Sequence, residues 1–242
     1  MALVLENGVW KLQPGGATGP TTTTYSPNGD GEATLGTADA DGFRTITNTG
    51  LDGLYVWDPS EALDTIEDTG TVFQFTNGTA VGGNYPFESW QFLGNDVGIV
   101  LILGQQDASS CAVEATVSAA GSTSTSFRYG AGIFQYYPAS AVRNNSAGVT
   151  VYGQASSILA RAYDDGSVVN VAVSSPSLPA TLRTELNYTA GTFRESELDF
   201  KVGGVSQATY EGTPYSRSAW LGFAIGTIVA STVDVTSFSV TV

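Results

Sequence analysis

Three carboxylates alternate along one short stretch, Glu195-Ser-Glu197-Leu-Asp199-Phe-Lys201, and these are the residues best spaced to do chemistry. In an extended strand, side chains two apart leave from the same face, so Glu195, Glu197 and Asp199 share one face and Leu198 and Phe200 the other. Grouped carboxylates are the equipment of glycoside cleavage, where one acid protonates the leaving oxygen and a second acts as nucleophile or base. The same alternation describes a solvated acidic face backed by an apolar one, and that is the reading adopted. Little other catalytic chemistry remains. The chain has no histidine, which removes the commonest general base, the Ser-His-Asp arrangement and most zinc or copper sites. Its one cysteine, Cys111, allows no intramolecular disulfide and, placed between Ser110 and Ala112 at the head of an apolar stretch, reads as a small buried hydrophobe.

Binding chemistry is better represented. A flat aromatic ring stacks on the apolar face of a pyranose while nearby Asn or Asp grips its hydroxyls. The densest aromatic clusters are Asn84-Tyr85-Pro-Phe-Glu-Ser-Trp90 and Tyr136-Tyr137, so Tyr85, Trp90, Tyr136 and Tyr137 are the candidate ligand-binding residues. Trp57 and Trp220, set within apolar runs, read as core. Asn28-Gly-Asp30-Gly-Glu32 and Asp39-Ala-Asp41-Gly resemble fragments of calcium loops, but neither carries the full ligand spacing and Asx turns explain both. No cofactor is expected, with Ca2+ the one ion these fragments could take. Asn77, Asn144 and Asn187 open glycosylation sequons, which carry no weight without an export signal.

These residues must sit on strands. In 242 residues, 42% are hydrophobic and only 13% charged, with Gly, Ser and Thr filling much of the rest, a sandwich composition rather than a helical one. The length suits one large domain. Alternating runs recur at Phe43-Arg-Thr-Ile-Thr47, Thr71-Val-Phe-Gln-Phe75, Ala112-Val-Glu-Ala-Thr-Val117, Val149-Thr-Val-Tyr152, Val168-Val-Asn-Val-Ala-Val173 and Ser237-Phe-Ser-Val-Thr-Val242. Each has the period of two expected of a strand with one buried face, and together they predict two stacked antiparallel sheets. Asp164-Asp165-Gly166 reads as a hairpin tip. The exception is Pro59-Ser-Glu-Ala-Leu-Asp-Thr-Ile-Glu-Asp68, which puts Ala62, Leu63 and Ile66 on one helical face and predicts a single short helix.

Residues 1–12 hold two apolar runs around Asn7-Gly8, a hairpin signal. Turn formers and four consecutive threonines follow. Residues 1–30 therefore read as an N-terminal hairpin and flexible arm, and residues 31–242 as the sandwich. The formal net charge of -14 repels phosphate backbones, so nucleic acid is a poor partner. The start lacks the basic and long apolar regions of a signal peptide, and the longest apolar run, residues 97–103, is too short for a membrane span. A protein made in the cytoplasm without Sec-type export is expected.

From residue 112 to residue 242 the order of segments is distinctive. Phe134-Gln-Tyr-Tyr137 is followed by Ser157-Ile-Leu-Ala-Arg-Ala-Tyr-Asp-Asp-Gly166 and Leu182-Arg-Thr-Glu-Leu-Asn-Tyr188. Then come Glu197-Leu-Asp-Phe-Lys-Val-Gly-Gly-Val205, Trp220-Leu-Gly-Phe-Ala-Ile225 and Val233-Asp-Val-Thr-Ser-Phe-Ser-Val240. This resembles the concanavalin A-like (laminin G-like) lectin and glucanase jelly rolls, with Val202-Gly-Gly where their hairpin usually has Val-Asp-Gly. The resemblance implies an all-β, antiparallel two-sheet sandwich with at most one short helix. It also implies sugar binding, sugar hydrolysis or a structural role on virions and cell surfaces. Glycosidases of this fold use a Glu-x-Asp-x-(x)-Glu strand, and Lys201 stands where another acid is wanted. The expected function is a non-catalytic virion or particle surface protein, a capsid decoration, head fibre or spike module. It would be homo-oligomeric, held to its neighbours by the N-terminal arm, and able to bind surface glycans or a host receptor. A free-standing carbohydrate-binding module is the alternative, and a carboxylate glycosidase or lyase the third reading.

Overall fold

Where the sequence alternates apolar and polar residues, the computed structural model of the chain holds strands. It describes residues 2–6, 9–13, 20–40, 42–58, 61–77, 98–107, 110–122, 127–134, 146–152, 157–164, 167–173, 177–188, 196–211, 218–226 and 230–242, and no helix occurs among them. The strands in chain order begin with β1 (Ala2–Glu6), β2 (Val9–Gln13), β3 (Thr22–Tyr25), β4 (Gly31–Glu32), β5 (Thr34–Leu35), β6 (Phe43–Thr47) and β7 (Tyr55–Trp57). They continue with β8 (Thr65–Asp68), β9 (Phe73–Asn77), β10 (Gly98–Asp107), β11 (Ser110–Ser122), β12 (Arg128–Phe134), β13 (Ser146–Tyr152) and β14 (Ser157–Asp164). Last come β15 (Ser167–Val173), β16 (Ala180–Tyr188), β17 (Ser196–Val202), β18 (Val205–Glu211), β19 (Ser218–Gly226) and β20 (Ser231–Thr241).

Two antiparallel sheets face each other. The first runs β15-β14-β13-β12-β19-β10-β7-β6-β5, and the second β18-β17-β16-β11-β20-β9-β8-β4. Strand β20 lies inside the second sheet, paired with β11 along most of its length. Its other edge is shared end to end, by β9 along Ser231–Val235 and by β3 along Phe238–Thr241. Thr22–Tyr25 thus joins the sheet, as β-branched threonines favour, and the Tyr25 ring packs on Phe238 at 5.9 Å. Strands β1 and β2 form a separate two-stranded ribbon, with Glu6 opposite Val9.

The core lies between the sheets. Phe223 of the first sheet meets Phe75 of the second at 6.4 Å and Tyr129 beside it at 6.4 Å. A polar contact crosses the interior, where the buried Thr184 hydroxyl donates to the Ala131 carbonyl across the sheets at 2.8 Å. Cys111 is buried in this core, and burial pushes its thiol up to about 12, so it packs as a small hydrophobe. Strands β17 and β18 close on Val202 opposite Val205, with Gly203 at φ 59° and Gly204 at φ 78°. A tight turn of this hand needs two positive φ values, which makes Gly-Gly a sound replacement for Asp-Gly. Strands β14 and β15 pair Asp164 with Ser167 across the expected hairpin tip.

The helix expected over residues 59–68 is absent from the described part of that stretch. Residues 61–64 are irregular, and Thr65–Asp68 is strand β8, paired to β9 and β4. Ala62, Leu63 and Ile66 are still buried, so the apolar signal was sound and its period misleading. The Asp58 carboxylate accepts the Ala62 and Leu63 amides at 2.9 Å each, and Arg44 donates to the Leu63 carbonyl at 3.0 Å. These groups satisfy the backbone that a helix would have satisfied for itself.

Replacing Phe223 by Ala should cost about 3–5 kcal/mol, the range for emptying a fully packed aromatic site. Urea unfolding should show a lower midpoint at an unchanged slope.

Candidate functional site

The alternating carboxylates resolve into two faces as expected. Leu198 and Phe200 are buried in the core, while Glu197 and Asp199 lie partly exposed on the outer face of the second sheet. Glu195 falls outside the described residues. Register brings Glu185 of β16 opposite Asp199, and Arg183 opposite both Lys201 and Glu114. Lys201 Nζ reaches Glu185 at 2.7 Å and Asp199 at 3.2 Å, and Arg183 reaches Glu185 at 3.1 Å and Glu114 at 3.6 Å. Ser206 Oγ also donates to Asp199, at 2.6 Å.

Glu114, Glu185 and Asp199 are held here in ion pairs. Burial alone would raise the Glu185 carboxyl, but hydrogen bonds and charge from Lys201 and Arg183 outweigh it and hold the group below its ordinary value. The hydrogen bond to Glu185, set against partial burial, holds the Lys201 ammonium above its own. A general acid needs the opposite shift, so that it keeps a proton at neutral pH. With side chains 15% to 33% exposed, each pair contributes only about 0.2–1 kcal/mol.

The loop Asn28-Gly-Asp30-Gly turns amides, not oxygens, toward its neighbour. Asp68, 1% exposed, accepts the Asn28 amide at 3.0 and 3.1 Å on its two oxygens, and the Gly29 and Gly70 amides at 2.9 Å. Asn28 Oδ1 accepts the Asp30 amide, and Asp39 Oδ1 the Phe43 amide, so both calcium-like fragments spend an oxygen on a local turn. Among the described residues no three His, Cys, Asp or Glu side chains gather as a metal would require. Nor, among them, is any helix long and apolar enough to cross a membrane. Asn77, the first residue of one sequon, is buried.

Of the aromatic candidates, Tyr85, Trp90, Tyr136 and Tyr137 all lie outside the described residues. A different aromatic pair stands on the outer face of the first sheet. Val56 is opposite Leu101, which is opposite the inward Phe223, so strand parity sends Tyr55 and Trp57 outward. Trp57 is fully buried, as expected, yet it lies apart from the sandwich core. The side chain of Trp220 lies outside the description. Tyr55 is 44% exposed, and Phe43, its diagonal neighbour on β6, meets it edge to face at 6.4 Å and 81°. Ring density in the sequence pointed elsewhere. The signal that locates Tyr55 is its parity with Val56, which shows only once Val56 is known to face inward.

Polar residues continue this face. Thr45, exposed, pairs with Tyr55, and Thr47, exposed, pairs with Thr34, whose hydroxyl takes a hydrogen bond from Asn48 Nδ2 at 3.1 Å. Gly36 keeps room for Thr45, because a Cβ there would lie 2.5 Å from the Thr45 hydroxyl. From below, the strip is fixed by Arg44, which donates to the Gly36 carbonyl at 2.8 Å and pairs with buried Asp58 at 2.9 Å.

No protein-family model matches the chain, and no curated protein matches it. Among solved structures, a β-glucanase from Bacillus licheniformis is 9% identical with a TM-score of 0.45, over 94% of this chain and 98% of that one. A legume lectin-like domain from Entamoeba histolytica is 10% identical at 0.43, over 71% and 84%. Scytalido-glutamic peptidase with a peptide-based transition-state analogue is 16% identical at 0.37, and there the match spans 53% of this chain and 62% of that enzyme. The all-β sandwich stands on the sheets described above.

Asp68 makes acid sensitivity predictable. Burial works against its ionisation, but the amides of Asn28, Gly29, Gly70 and Gly50 more than offset this and lower it from the ordinary 3.8. A carboxyl lowered by folding stabilises fully above its unfolded value and loses that contribution as pH falls through the folded one. Stability should therefore drop on acidification below about pH 4, and Asp68→Asn should remove about 1–3 kcal/mol at pH 7 while flattening that acid limb. Thermal melts of both proteins across pH 2–7 measure this.

Proposed function

We propose that the chain is a non-catalytic carbohydrate-binding protein whose ligand face is the outer surface of the first sheet around Tyr55. The single observation that carries this is an exposed ring, steadied edge-on by Phe43, beside exposed threonines on the same face of the sheet. Such a ring offers a stacking face for a pyranose, and the hydroxyls beside it offer hydrogen-bond partners. The ion-paired outer face of the second sheet is in keeping with this reading, because Glu114, Glu185 and Asp199 are engaged with cations. The lectin-like and glucanase-like structures to which the chain is similar are in keeping with a sugar ligand, without adding weight to it.

A glycan array is the direct test. Tyr55→Ala should abolish the signal at unchanged thermal stability, and Glu197→Gln should leave it intact. Mixed polysaccharides incubated with the protein should release neither reducing ends nor unsaturated products. Loss of such release in Glu197→Gln would overturn the non-catalytic reading.

A second reading concerns where the protein works. The ribbon β1–β2 forms its own sheet, apart from the sandwich, and register puts Leu3 opposite Leu12 and Leu5 opposite Trp10. Isolated two-stranded ribbons are marginal in water, so this one gains most by docking on a neighbour. That favours a virion or particle surface protein, a decoration, fibre or spike module attached through its N-terminal ribbon and displayed as a homo-oligomer. Deleting residues 1–19 should leave the melting temperature within a few degrees and abolish assembly. Deleting residues 1–30 should destabilise the fold itself, because it also removes β3 and two amides that hold Asp68.

A further inference from the structure

Building on the carbohydrate-binding reading, we infer that the Tyr55 face selects neutral sugars, hexose units presenting hydroxyls only, and rejects uronate, sialylated and sulfated glycans. Among the described side chains, those beside Tyr55 on this face are Phe43, Thr45, Thr47, Thr34 and Asn48, and none of them is charged. A hydroxyl donates once and accepts twice, and an amide side chain offers both functions, which matches the hydroxyls of a pyranose rim. An anionic sugar would need a guanidinium or ammonium to replace its lost hydration. Among the described residues the cation nearest in sequence, Arg44, cannot supply one. It is buried on the opposite side of β6, and its donors are committed to Asp58, the Gly36 carbonyl and the Leu63 carbonyl.

The surroundings add repulsion. Asp52 is exposed in the turn that joins β6 to β7, and Asp39 closes the other end of the hairpin by accepting the Phe43 amide. Both lie within a few residues of the strip, on a chain of net charge -14. Repulsion of an anionic ligand by such a surface weakens over roughly 8 Å at physiological salt, so it acts at the strip itself. Selection arises from two sources together, donors and acceptors without charge at the contact and like charge at its border.

Titration of the full chain by isothermal calorimetry, with neutral gluco-, manno- and galacto-oligosaccharides beside uronate and sulfated oligosaccharides of the same length, tests this at 20 and 500 mM salt. Neutral ligands should bind with salt-independent affinity, and anionic ones should not bind at low salt. Tyr55→Ala should weaken the neutral ligand about tenfold or more, the ratio that 1.4 kcal/mol of lost stacking produces. Tyr55→Phe should retain binding. Anionic glycans binding as well as neutral ones, with the same loss in Tyr55→Ala, would overturn the neutral selection and leave the carbohydrate-binding reading standing. Failure of every sugar to bind, or neutral binding unchanged in Tyr55→Ala, would overturn both.

Discussion

Parity is the constraint on which the rest of the structure depends. A strand repeats every two residues, so burying one set of side chains against the facing sheet decides which set meets solvent. Val113, Ala115 and Val117 of β11 face in, and Glu114 and Thr116 therefore face out. Strand β20 obeys the rule with one interruption. Val233 and Val235 are buried, then Thr236 and Ser237 both lie half-buried, and the inward set resumes at Phe238 and Val240. The register against β11 shifts around Val117, and this irregularity lets a single strand carry β9 on one half and β3 on the other.

Parity leaves the ends of the sandwich to be closed by other means. Two buried aspartates do this with the same chemistry. Asp58 receives the Ala62 and Leu63 amides and the Arg44 guanidinium, and Asp68 receives the amides of Asn28, Gly29 and Gly70. In each case a carboxylate organises irregular backbone that no strand partner reaches. Arg44 joins the two levels of structure, because the guanidinium that neutralises Asp58 also holds the Gly36 carbonyl behind the Tyr55 strip.

The sandwich was legible because alternation is a local property. All six runs singled out by period overlap strands, with Thr71, Val72 and Val242 just beyond them, and Leu198 and Phe200 face in while Glu197 and Asp199 face out. The segment before Asp68 was misread because Ala62, Leu63 and Ile66 fit a helical stripe, while the groups that hold them, Asp58 and Arg44, come from elsewhere in the fold. Likewise Thr22–Tyr25 had no alternation to show, and it became a strand because half of one edge of β20 was open. Asn28-Gly-Asp30 looked like oxygen ligands when its role was to donate amides to a residue 40 positions away. Contacts of this kind depend on which distant segments meet, and no local pattern encodes them.

The same limit applies to the Tyr55 face. Tyr55 sits in Leu54-Tyr-Val-Trp57, where every residue is large and apolar and nothing local tells inward from outward. The distinction comes from Val56 meeting Leu101 across β7 and β10, and so from Phe223 in the core two strands away. Outer face and core are then one decision: the packing that buries Val56 also turns the Tyr55 ring to solvent. A slip of one residue in β7 would bury Tyr55, expose Val56 and erase the face. The site is in this sense as well specified as the core, although none of its own side chains is needed to build the sandwich.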